Sequence, residues 1–139
     1  MNCPIVKGEI ALRMPSAPAG LADMAAGKNL LDTLAAHADD CVGLAGNMIG
    51  VRKCIIAFVE QETGKNRLMF NPEIVKKSGS YEAEEGCLSL AGKRKTTRYS
   101  SITVKFQNEK FTWSEEEEFN GFTAQIIQHE IDHCKGIII

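Results

Sequence analysis

The sequence predicts an α+β fold, with one N-terminal helix, several short antiparallel strands, and a C-terminal helix on which the strands pack. Three observations carry this reading. The stretch from Leu21 to Ala38 is rich in Ala and Leu at helical spacing. The middle of the chain holds short apolar runs, some alternating with a period of two, separated by breakers. Residues 124–133 return to helical spacing before Gly136 stops them. Strands grouped together rather than alternating with helices exclude a parallel β-α-β sheet.

The elements follow in order. Residues 14–20 contain two prolines and a glycine and predict an irregular segment. In the first helix Leu30, Leu31, Leu34, Ala35 and Ala38 share a stripe, Asp32, Thr33 and Asp39 face outward, and Gly27 and Asn29 weaken the middle. Asp39-Asp40 end it. Cys54–Val59 is a continuous apolar run, as in a buried strand. Leu68–Phe70 stops at the breaker Asn71-Pro72, and Ile74-Val75 stops at two lysines. Ile102, Val104 and Phe106 alternate with Thr103 and Lys105, and Phe111 and Trp113 continue the alternation beyond a turn at Gln107-Asn108-Glu109. The acidic run 115–118 reads as a solvated loop or edge, because four adjacent carboxylates repel one another in a core. Asn120 and Thr123 offer caps for the last helix.

Composition sets the bounds on function. A chain of 139 residues predicts a single domain, 1–139, without repeats or linkers. Its 44% apolar and 24% charged residues exclude disorder. A formal charge of −2, with no basic stretch longer than Lys93-Arg94-Lys95, gives no footprint for nucleic acid. No apolar run approaches the ~18–20 residues of a membrane span. The first residues lack the order of a secretory signal, so no membrane partner and a cytoplasmic location are expected. Five cysteines, an odd number without regular spacing, argue for reduced thiols. One of them can serve as a ligand or nucleophile while the others pack as small apolar residues.

The chemistry concentrates in three segments. In His129-Glu130-Ile131-Asp132-His133 the histidines stand at i and i+4, so both rings on one helical face can reach one metal ion. Glu130 lies roughly 100° further round, beside the ion rather than on it, where it can handle a proton of activated water. The bland alternative is an exposed face with coincidental histidines. Two histidines do not complete a catalytic site, which needs about three protein ligands and an open position. His37 is a poor third ligand, being an ordinary histidine flanked by alanines. Cys87, in Glu85-Gly86-Cys87-Leu88-Ser89, is better: alone it reads equally as a buried thiol, but beside two histidines it supplies what the site lacks. The segment Cys41–Gly50 carries small residues that permit close backbone approach and pairing with an extended peptide, or simply form a tight loop. It has neither the glycine pattern nor the lysine of a phosphate loop.

Together these segments resemble the three signatures of the peptide deformylases. Glu-Gly-Cys-Leu-Ser stands intact at 85–89, and Gln-His-Glu-any-Asp-His stands intact at 128–133. The remaining signature (Gly, apolar, Gly, apolar, Ala, Ala, any, Gln) is degraded at Cys41–Met48. The resemblance implies a metal-dependent hydrolase that removes the N-terminal formyl group from the formylmethionine of nascent polypeptides, which are met near the ribosome. It implies Cys87, His129 and His133 as metal ligands, with ferrous iron the usual ion and zinc acceptable to the same donors. Water activated on the metal attacks the formyl carbonyl, and Glu130 serves as general base and then acid. The Leu88 N–H stabilises the oxyanion. Val42, Gly43 and Leu44 contact the substrate, with Arg94 further along.

The departures bear on turnover. Met48 replaces a Gln whose amide donates to the oxyanion, and a thioether donates nothing. Asn47 is the adjacent candidate for rescue. Gly46 replaces Ala, and Cys41 replaces Gly at a position of unknown backbone angle. Two alternatives stay open: a catalytically weakened formyl-peptide or metal-binding homologue, and an H-E-x-x-H metallopeptidase.

Overall fold

Two long strands organise the structure, a computed structural model that describes residues 1–114 and 116–138. Strands β3 (Asn66–Cys87) and β4 (Leu90–Gln107) form a hairpin with Cys87 opposite Leu90 at its tip. They join β1 (Gly43–Ala45), β2 (Ile55–Val59) and β5 (Glu117–Asn120) in an antiparallel sheet of order β1-β2-β3-β4-β5. Helix α3 (Gly121–Cys134) lies across β4, β2 and β1, while α2 (Met24–Ala36) packs on β2 and β3. A core of Leu30, Leu34, Ile56, Phe58, Met69, Phe70 and Ile127 fills the space between them. The α+β class and the central role of the last helix are as the sequence predicts.

Three local readings need correction. The first helix begins later than its apolar pattern, at Met24 after a 3-10 turn over Leu21–Asp23, and a short additional helix α1 (Glu9–Leu12) precedes it. Its buried residues are Gly27, Leu30, Thr33 and Leu34, whereas Ala35 and Ala38 are exposed. Thr33 turns inward because its hydroxyl is satisfied there. It donates to the Asn29 carbonyl at 2.8 Å and accepts the Cys3 N–H at 2.9 Å. Gly27 does not merely weaken the helix: a Cβ there would stand 2.6 Å from Cζ of Phe70. Gly27→Ala is therefore expected to destabilise the fold by about 1–2 kcal/mol in urea denaturation, the cost of overpacking exceeding the gain in helix propensity.

The breaker Asn71-Pro72 does not end a strand. Leu68–Phe70 and Ile74-Val75 belong to the single strand β3, which absorbs the breaker as register shifts between Phe70 and Glu73 and again between Ile74 and Lys76. Asn71 takes the left-handed conformation at φ 52°. Its side chain accepts the Ala19 N–H at 2.7 Å and donates to the Gln107 side-chain oxygen at 2.6 Å, so the bulge is pinned on both flanks. The alternation at Phe111 and Trp113 builds no strand beyond one bridge, Gln107 to Trp113. Phe111 instead folds back onto Phe70, with ring centroids 5.1 Å apart.

In the acidic run, Glu115 lies outside the described residues. Glu117 and Glu118 sit on the edge strand β5, where Glu117 accepts two bonds from Arg67 at 2.6 and 2.9 Å and Glu118 accepts one from Ser101 at 3.1 Å. Pairing at an edge relieves the repulsion that a core would not tolerate.

Candidate metal centre

Helix α3 brings His129 and His133 one turn apart on its buried face, with their Nε2 atoms 2.9 Å from each other. The tip of the β3–β4 hairpin brings Cys87 to the same point. One ligand atom from each of Cys87, His129 and His133 lies within 4.8 Å of the other two. Tetrahedral bonds of ~2.0–2.1 Å place two ligand nitrogens about 3.3 Å apart, so these rings need only a slight rotation to share one cation. His37, by contrast, caps the end of α2 beside Asp40.

Burial and charge prepare the two rings differently. Burial, joined by the charges of His129 and Arg98, pulls His133 down to about 3, so it offers a neutral nitrogen. Burial would also lower His129, but Glu130, Cys87 and Glu85 outweigh it and hold the ring up at about 10. Two nitrogens this close are held together by one proton or by one cation, and the anionic groups around them favour positive charge in either form.

His129 is oriented from behind. Its Nδ1 meets Oε1 of Glu85 at 2.8 Å. Glu85 in turn accepts bonds from Arg98 at 2.7 and 2.9 Å and from Gln125 at 2.9 Å, and Arg98 reaches Asp132 at 2.6 Å. Burial works to raise the Glu85 carboxyl, but the bonds from His129 and Arg98 prevail and hold it at about 2. Asp132 thus belongs to the support of the site. Gln128 docks the helix on β4, accepting the Tyr99 N–H at 2.9 Å and donating to the Tyr99 carbonyl at 2.8 Å.

Glu130 stands beside this cluster, 4% exposed, with Oε1 finding no hydrogen-bond partner among the described residues. Burial pushes its carboxyl up to about 7, opposed by His129. Strand β1 presses against it: a Cβ on Gly43 would lie 2.8 Å from Glu130 Oε2 and 2.7 Å from Ile126. The glycine therefore permits a close approach of the β1 backbone to Glu130.

A cavity of about 300 Å³ opens over these groups. Val42, Gly43, Met48, Leu88, Phe122, His129 and Glu130 are among the residues that line it. Leu44 has its side chain in the core, fully buried, and is not on the lining. Arg94 is turned away, paired with Glu9 at 3.3 Å and bonded to the Ala91 carbonyl, while Lys93 faces the cavity. Lys7 bonds the Leu88 carbonyl at 2.5 Å and the Gly8 N–H bonds the Ser89 carbonyl at 3.0 Å, so the N-terminal segment clips the turn after Cys87. Met48 lines the cavity, and its sulfur accepts the Ala45 N–H at 3.4 Å. Asn47 does not take the place of the missing amide there, since it is not on the cavity lining and its Nδ2 is aimed at the His133 carbonyl, 2.8 Å away. Cys41 needs no left-handed backbone, because the only non-glycine residues with positive φ among those described are Asn71 and Phe111. Its thiol donates to the Gly43 carbonyl at 3.0 Å, and burial pushes it up to about 12, which leaves it inert.

The family profile described as polypeptide deformylase matches residues 5–139. The chain belongs to the peptide deformylase family. A peptide deformylase of Clostridium beijerinckii is 51% identical over 138 residues, covering 98% of each chain. Among solved structures, the class I type b peptide deformylase of Acinetobacter baumannii with Met-Ala-Ser bound is similar at a TM-score of 0.86 and 26% identity, covering 99% of this chain and 97% of that one. The Thermotoga maritima peptide deformylase is similar at 0.86 and 28%, covering 99% and 95%. Family membership and the Cys/His/His donor set together make this a divalent-metal hydrolase.

Arg98, Gln128 and the partnership of Glu85 are the parts of the site that sequence reasoning passed over. A signal existed for Arg98. It shares the even parity of the buried Ile102, Val104 and Phe106 on β4, and a cation on an inward-facing position demands partners.

Proposed function

We propose that this deformylase removes the formyl group from the N-terminal formylmethionine of nascent polypeptides, yielding formate and a free amine, with Cys87, His129 and His133 holding the metal. The observation that carries the reading is the convergence of these three donors beside a buried carboxylate, at the foot of a cavity bounded by an edge strand. Bound there, a divalent cation supplies Lewis-acid activation of water and of the carbonyl oxygen. Glu130 takes the proton of the attacking water and returns it to the departing amine, a shuttle suited to a carboxyl held near 7. The Leu88 N–H serves the developing oxyanion. Among the described residues strand β1 pairs with β2 alone, and although the Val42 carbonyl is taken by the Val59 N–H at 2.9 Å, the outer edge of β1 is open to an extended peptide. Arg94 serves residues further along if it is released from Glu9. Ferrous iron is the proposed native ion, with zinc accepted by the same ligands, and the proposed setting is the cytoplasm near the ribosome. No helix among the described residues is long and apolar enough to cross a membrane.

The test is formate release from a formyl-Met peptide by anaerobically prepared ferrous protein. Turnover is expected; a metal-loaded protein without turnover overturns the reading. The fully buried Met48 favours a second reading, a weakened homologue that binds formyl peptides without processing them. Met48→Gln is expected to raise kcat about tenfold. That is less than the 10²–10³ which removal of an oxyanion donor costs, because the fully buried position is packed around a thioether. Tight peptide binding without formate release from either protein would favour the second reading. The metallopeptidase alternative gains no support, since Cys87 takes the place of the third His or Glu such an enzyme uses.

A further inference from the structure

We propose that Asn47 is a positioning residue for the metal ligand His133, an inference that rests on the metal site described above. The last turn of a helix leaves carbonyls without intrahelical partners, and His133 sits in the last turn of α3. Its carbonyl accepts the Gly136 N–H at 3.0 Å and, at 2.8 Å, the side-chain amide of Asn47 from a segment 86 residues away. Asn47 is 2% exposed and His133 fully buried, so water does not compete for this bond.

The same two residues carry two of the five buried polar atoms that find no partner among the described residues, Asn47 Oδ1 and His133 Nδ1. When His133 offers Nε2 to a cation, Nδ1 carries the proton, so the leftover atoms are an acceptor and a donor on residues already joined. His129 has Glu85 behind it. Among the described residues no carboxylate bonds His133 Nδ1, and Asn47 holds the residue from the opposite segment through its carbonyl.

Asn47 lies between Gly46 and Met48 in the 3-10 turn Gly46–Ile49, which continues directly from β1. The strand that presses on Glu130 is thereby tied to the helix turn that presents the ligand. Cleft wall and ligand are set relative to one another by one amide.

The experiment uses the full chain loaded with cobalt(II), read through thiolate-to-cobalt absorption and competition with a chelator. Asn47→Ala is expected to lower cobalt affinity ten- to hundred-fold, the range found when support behind a ligand is lost, and to shift the cobalt ligand-field bands. Asn47→Ser, which removes less volume, is expected to do the same should Asn47→Ala fold poorly. Thr123→Ala is the control. Its hydroxyl ties the start of α3 to Gln61 and Glu62, so it should lower Tm without moving cobalt affinity. Variants of Asn47 that lose stability yet bind cobalt as tightly as the parent, with unchanged bands, would overturn the proposal. A parent protein that binds no cobalt would overturn the metal reading itself.

Discussion

Glu130→Gln is expected to lower kcat by 10²–10⁴, the usual worth of a positioned general acid–base group, while metal content and KM stay as they are. The split follows from geometry. Glu130 is not one of the three clustered donors, so an amide in its place removes no ligand. It lies against Gly43 without room for a larger group, so an isosteric side chain preserves the wall of the cleft. A second signature accompanies the loss. The carboxylate is nearly fully buried, and Oε1 finds no partner among the described residues, so ionising it at neutral pH costs stability. Gln carries no charge, and Glu130→Gln is expected to raise Tm while turnover falls. Retention of activity within tenfold, with the metal bound, would show that the proton travels by another route.

How much of this was legible in the sequence depends on whether local spacing decides the outcome. The His129–His133 pair was legible because a helix places i and i+4 on one face whatever surrounds it. Cys87 was legible only jointly, since a thiol in a hairpin turn acquires meaning from donors more than 40 residues away. Elements set by competition between distant partners were not legible. Thr33 looks outward by polarity, yet Cys3 from the N-terminal segment satisfies it inside. Asn71-Pro72 reads as a stop, yet Ala19 and Gln107 pin it as a bulge within one strand. Asn47 sits at the unconstrained position of a degraded signature, and only the packing of α3 onto that segment gives its amide a carbonyl to hold.

Arg98→Met is expected to destabilise the fold by about 3–5 kcal/mol in urea denaturation, the largest loss of stability foreseen for a single side chain outside the ligands. Arg98 is 3% exposed and lies between Glu85 and Asp132, and among the described residues neither has another cation in hydrogen-bonding contact apart from His129 behind Glu85. Removing it leaves the buried Glu85 carboxylate with His129 and Gln125 as its remaining partners, which costs more than the ion pair contributed. The origin of the loss is separable by charge. In Arg98→Met combined with Glu85→Gln the buried pair is replaced by neutral groups, and most of the lost stability should return. If the double variant is as unstable as the single one, packing of the guanidinium stem, not the stranded charge, is responsible. Cobalt affinity separates support of the fold from support of the metal. In Arg98→Met the carboxylate that orients His129 loses its strongest anchor, so the affinity should fall even where the protein remains folded. An unchanged affinity would mean that Gln125 and the hairpin backbone suffice to aim Glu85 at the ring.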